Sequence, residues 1–203
     1  MLNRTAILLP TCMVLLWIAG VPAAHALEIY GGAEGSVTSF TGVCSSTTGN
    51  PTFSGSCDDQ GTGYKAFAGL QLLPLTAIEV GYIDFGKAQV SGTLGGISAS
   101  RELSGNATYL AFVLRATFFD RLTVYGKAGA DYWQTSGNLG TSLPTSSQNA
   151  DGTSYMYGVG ASFRIVGPLG VILEAERYQD VGNQSTTGQA NINAVSLGLV
   201  LRF

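Results

Sequence analysis

Histidine is almost missing from this chain: the one imidazole in 203 residues is His25. Serine hydrolases and many metal centres lean on that side chain, so the abundant serines have no base at hand to take a proton. Charge is sparse too. Asp, Glu, Lys and Arg together make up 11% of the residues, with a formal net charge of −3 and no run of lysine or arginine. Nucleic acid is held through clustered cations, so it is excluded as a partner. Cysteine occurs three times, and beyond the N-terminus no apolar stretch approaches the length of a membrane-spanning helix.

What is present begins with an export pattern. Arg4 supplies a short basic region, Ala6 to Ala19 is apolar apart from Pro10, Thr11 and Cys12, and small residues lead into Ala24-His25-Ala26. That order predicts a secretory signal peptide over residues 1–26, cut after Ala26, with 27–203 as one domain. A membrane anchor is the weaker reading, because the run is short and ends in Gly20 and Pro22. Cleavage would remove both His25 and Cys12. Cys44 and Cys57 then remain in a polar stretch of an exported chain, where a disulfide between them is expected. Closing so short a loop contributes about 3 kcal/mol in the chain-entropy account. Two cysteines without a histidine cannot complete a zinc shell, so neither a metal nor a cofactor is expected.

The mature part alternates with period two. Leu27, Ile29, Gly31, Ala33, Gly35 and Val37 oppose Glu28, Tyr30, Gly32, Glu34 and Ser36. The same alternation returns over 64–72, 78–82, 109–116, 124–132, 155–165, 171–176 and 195–203, which predicts eight strands. Short turns at Leu73-Pro74-Leu75-Thr76, Phe119-Asp120-Arg121 and Val166-Gly167-Pro168-Leu169 alternate with long polar loops at Thr38–Gly61, Gly86–Asn106, Thr135–Thr153 and Gln179–Ala190. Gly31-Gly32 and Gly95-Gly96 lack the context of a phosphate loop and suit bends and loops.

Within the strands almost every charge falls on one face: Glu28, Glu34, Lys65, Glu79, Arg115, Lys127, Asp131, Arg164, Glu174, Glu176 and Arg202. The opposite face is apolar, with Tyr64, Tyr82, Phe118, Tyr132, Tyr155, Phe163 and Phe203 near strand ends. Asp84 and Arg177 break the pattern, both at strand ends where headgroups and water begin. A soluble barrel would turn its apolar face inward. The export pattern, the aromatic strand ends and the apolar last strand instead predict an all-β, eight-stranded, antiparallel up-and-down transmembrane β-barrel with its charges in the lumen. Glu174 and Glu176, two apart among cations, read as structural pairing rather than acid–base chemistry.

Tyr64-Lys65-Ala66-Phe67-Ala68-Gly69-Leu70-Gln71, followed by Ala77-Ile78-Glu79-Val80-Gly81-Tyr82, resembles the second and third strands of the OmpA-like transmembrane domain family. Leu122 to Ala130 resembles its fifth strand, Glu176-Arg177-Tyr178 the end of its seventh, and Ser196 to Phe203 its terminal strand. The resemblance implies an address in the outer membrane of a Gram-negative bacterium, contact with its lipids and lipopolysaccharide, and recognition of Phe203 by the outer-membrane assembly machinery. It also implies a luminal charge network of Glu79, Arg115, Lys127 and Glu174. Ile172 stands where the family often has an arginine, so Glu79 is expected to turn to Arg115 or Lys127. The family's peptidoglycan-binding domain is not expected, since no such segment follows Phe203.

Small barrels that modify lipids or cleave proteins resemble one another in needing a histidine, which the mature chain lacks. The expectation is therefore no catalytic residue, and a structural or adhesion-type surface role through the external loops. A narrow gated channel, a lipid-modifying enzyme and a soluble secreted β-barrel binder are the alternatives. The polar loops contain no motif that names an external ligand.

Overall fold

The computed structural model describes residues 27–41, 53–94, 97–141, 146–183 and 188–203; the expected signal peptide, the Gly95-Gly96 pair and Cys44, and with it the expected Cys44–Cys57 pairing, lie outside them. Nine strands are assigned: β1 Glu28–Thr41, β2 Phe53–Asp58, β3 Gln60–Leu73, β4 Thr76–Leu94, β5 Ile97–Phe118, β6 Leu122–Thr141, β7 Ser146–Val166, β8 Leu169–Asn183 and β9 Gly188–Arg202. Only Asp59 separates β2 from β3, and the two pair in succession along β4, so they form a single stave. The remaining neighbours pair antiparallel in sequence order, β4 pairs with β5, and β1 pairs with β9. The result is a closed, antiparallel, eight-staved barrel, each stave hydrogen-bonded to both neighbours through the membrane belt.

Alternation fixes which face each side chain takes. Val80, Leu110, Leu114, Val159 and Leu197 point outward and are between 51% and 64% exposed. An apolar surface encircling a whole barrel is untenable in water and is what hydrocarbon requires. Tyr64, Tyr132 and Tyr155 ring its upper edge; Phe118, Phe163 and Phe203 ring the edge nearer the short turns. Asp84, at the upper boundary, accepts a hydrogen bond from the Gly86 backbone N–H at 2.7 Å. There the β4–β5 register shifts, and Gly86 takes a φ of 74°, a left-handed conformation that glycine adopts without a Cβ penalty.

The long loops read from the sequence are largely strand. β4 and β5 stay paired from Lys87–Ser104 up to Leu94–Ile97, and β6 and β7 up to Leu139–Ser146. Their sequence is polar and does not alternate, yet backbone pairing does not depend on apolar side chains. Their threonines and serines suit an extended backbone without signalling a buried face.

Candidate functional site

Two facing staves, β4 and β8, carry their luminal residues in the same vertical order. Starting from the short-turn end, β4 presents Ala77, Glu79, Ile83 and Phe85, while β8 presents Ile172, Glu174, Glu176 and Tyr178, all buried. The barrel interior is thereby layered. A lower apolar cluster contains Tyr30, Phe67, Ala77, Val113, Ile172 and Val200. An upper one contains Phe40, Phe85, Trp133, Met156, Tyr178 and Ile192, among others, none more than 5% exposed. The charges lie between them.

Lys127 is the hub of the charged layer. Its Nζ lies 2.9 Å from Glu79 Oε1, 2.8 Å from Glu174 Oε1 and 2.8 Å from Glu176 Oε1. Lys65 is the second hub, 3.3 Å from Glu34 and 3.1 Å from Glu176 and also in contact with Glu174. These six side chains are at most 2% exposed. Tyrosine hydroxyls supply further donors: Tyr109 to Glu79 at 2.9 Å, Tyr30 to Glu79 at 3.1 Å, and Tyr125 to Glu174. The Tyr109 ring also faces both cations, at 5.4 Å from Lys127 Nζ and 5.8 Å from Lys65 Nζ. Such pairing offsets the large desolvation cost of placing ions between two apolar layers.

Of the four residues implied by family resemblance, Glu79, Lys127 and Glu174 meet at this hub. Arg115 does not. It lies one layer lower on β5, beyond Val113, with its Nη2 3.8 Å from Glu28 and its guanidinium 5.7 Å from the Tyr30 ring. With Ile172 in the lower apolar cluster, Glu79 is paired by Lys127. Glu34, Lys65 and Glu176 complete the hub but were not placed in the network from sequence. Their shared luminal face was visible; the direct pairing of Glu34 opposite Lys65 depends on the β1–β3 register.

A second set of luminal contacts joins glycine to aromatic residues across neighbouring strands. Gly69 lies opposite Tyr30, Gly81 opposite Tyr109, and Gly160 opposite Tyr125. In each case the ring occupies the space into which a Cβ would project. The glycines are seats for the rings whose hydroxyls reach the carboxylates. Above the belt, Lys87 and Glu102 pair at 2.8 Å, and that hydrogen bond holds the exposed Lys87 ammonium above its ordinary pKa.

A closed barrel with an oily exterior and a charged, packed interior defines an outer-membrane β-barrel protein. The match to the OmpA-like transmembrane domain spans residues 24–203, and the chain belongs to that family. Outer membrane protein P5 of Haemophilus influenzae is 28% identical over 157 residues, covering 69% of this chain and 44% of P5. Outer membrane protein A of Klebsiella pneumoniae is 25% identical over 144 residues, covering 70% of this chain and 41% of its own length. The chain thus spans less than half the length of these curated relatives. Among solved structures, the attachment invasion locus protein Ail of Yersinia pestis, in complex with the heparin analogue sucrose octasulfate, superimposes with a TM-score of 0.53 at 14% identity, covering 88% of this chain and all of Ail. The outer membrane protease OmpT of Escherichia coli gives 0.51 at 10% identity, covering 88% and 99%. At such identities the likeness shows the fold alone. The relatives and the barrel together place the chain in the outer membrane of a Gram-negative bacterium.

Proposed function

We propose that the chain is a non-enzymatic envelope protein with a structural or adhesion-type role, meeting its partners through the hairpins that stand above the membrane. The observation that carries this reading is the pairing of β4 with β5 and of β6 with β7 well beyond the aromatic edge, which turns polar segments into ordered, outward-facing ribbons. Packed layers fill the lumen beneath them, so side chains rather than water occupy the bore. That favours a surface role over a gated channel. An expected disulfide between Cys44 and Cys57 would restrain the first external segment; a mobility shift on reduction, lost in Cys57→Ser, tests it.

The external segments also bear on partner chemistry. Asp58, Asp59, Glu102, Asp151 and Asp180 outnumber Lys87 and Arg101 there. A sulfated polyanion, as bound by Ail, does not suit that balance, and a neutral or cationic surface does. The test is attachment of a non-adherent Gram-negative strain to cultured epithelial cells, with and without this chain on its surface. Attachment should rise with the intact barrel and fall several-fold when 88–103 is replaced by a two-residue turn, with heat-modifiable mobility retained. Attachment equal to that of the empty strain, or steady ion conductance by the purified barrel in a planar bilayer, overturns the proposal.

A further inference from the structure

Below the lower apolar layer, at the end bearing the short turns, two arginines flank one carboxylate and a third lines the recess beside it. Arg115 Nη2 and Arg202 Nε both approach Glu28 Oε1, each at 3.8 Å, near the limit of an ion pair. Both arginine side chains are only 9% exposed, whereas Glu28 is 30% exposed. Arg164 faces the same space. It lines, together with Glu28, Arg202 and Phe203, an open recess of about 380 Å³, and its Nε is buried without a hydrogen-bond partner. The other polar contacts are few. Arg202 donates to Ser162, Arg115 lies over the Tyr30 ring, and Glu28 Oε1 accepts no hydrogen bond.

The acidic centre higher in the barrel does not supply the missing anion. Glu79, the carboxylate nearest this end, is already bound by Lys127, Tyr30 and Tyr109. Between Glu79 and the arginines lies a pocket of about 20 Å³, room for roughly one water. Two guanidiniums that are mostly buried therefore share one loosely held carboxylate, and a third lines the recess beside them. A guanidinium fork matches the oxygens of a phosphate in both spacing and charge, and a site short of one or two negative charges is completed by such a group.

We propose that this recess at the periplasmic mouth binds a phosphate-type oxyanion, held by Arg164 and Arg202, with Arg115 behind them on the inner side of Glu28 and Glu28 as the competitor. The ligand is either the headgroup phosphate of an inner-leaflet phospholipid or free phosphate, since both present the same oxyanion to the guanidiniums. The site is independent of the external hairpins and of any role they have.

Isothermal titration of the full refolded chain, in a maltoside detergent at low salt, separates the two sources. One arm uses sodium phosphate and the other monomeric dihexanoyl phosphatidylglycerol. Saturable binding of one ligand per barrel in either arm is expected, with the arm that binds naming the source. Arg164→Gln should weaken it at least tenfold, because that side chain takes part in no ion pair among the described residues and its loss costs the barrel little. Glu28→Gln should tighten it several-fold by removing the competitor, and Lys87→Gln, at the far end, should leave it unchanged. Heat-modifiable mobility of each variant confirms that the barrel is intact. Absence of saturable binding in both arms, or equal affinity in the wild type, Arg164→Gln and Glu28→Gln, overturns the proposal.

Discussion

Tyr109 lies directly opposite Gly81 on the luminal face, and its ring fills the volume that any larger residue at 81 would claim. Tyr109 is 1% exposed and its hydroxyl is committed to Glu79, so the ring has nowhere to go. Gly81→Val is expected to destabilise the barrel by about 1–3 kcal/mol through overpacking. Equilibrium urea unfolding from phospholipid vesicles measures it. The double variant Gly81→Val/Tyr109→Ala should recover part of the loss, a coupling that two independent sites would not show.

Lys127 is the cation for three carboxylates. Lys127→Met leaves them buried with Lys65 as the remaining cation of the layer, and a cost of about 3–5 kcal/mol is expected. Adding Glu79→Gln should restore part of the stability by withdrawing the charge that lost its partner. The same unfolding assay reads both. A cost below about 1 kcal/mol for Lys127→Met would show that the layer is wetter than its packing implies.

Orientation is tested on the outer wall. Leu110 points into the belt and lies opposite Val80, beside the height of the charged layer. Leu110→Arg is expected to cost about 2–4 kcal/mol, and Tyr132→Arg, at the upper edge, no more than about 1 kcal/mol. Equal costs at the two positions would contradict a membrane midplane near Leu110.

Phe203 is 75% exposed, so its removal has little packing to lose. If the terminal aromatic is the feature that the assembly machinery recognises, Phe203→Ala should lower the amount of barrel in outer-membrane fractions several-fold while leaving refolding in detergent unchanged. Equal losses in both would assign the residue to folding instead.

Facing was legible in the sequence wherever one side of a strand meets hydrocarbon. The alternation over 109–116 and 171–176 forces apolar residues outward, and the structure follows it. Partnership within the lumen was not legible in the same way. Lys65 and Lys127 both sit among glutamates on the right face, but which carboxylate each meets depends on strand register and on distances across the bore. Arg115 shows the consequence: it shares the face with Lys127 yet occupies another layer, because Val113 intervenes on β5. The glycine seats were open to reading only after register was known, since Gly81 and Tyr109 are 28 positions apart and opposed only by the β4–β5 pairing. The polar hairpins read as loops for the opposite reason, having no apolar alternation to mark their strands.

The charged layer draws its six members from β1, β3, β4, β6 and β8, scattered from the start of the chain to near its end. Glu34 and Lys65 meet on neighbouring staves, but no single hairpin can neutralise all six. A half-built sheet entering the bilayer would carry bare ammonium and carboxylate groups into oil, which penalises every intermediate that has not yet curled round to join its ends. The full set of ionic contacts is therefore available only to the completed cylinder.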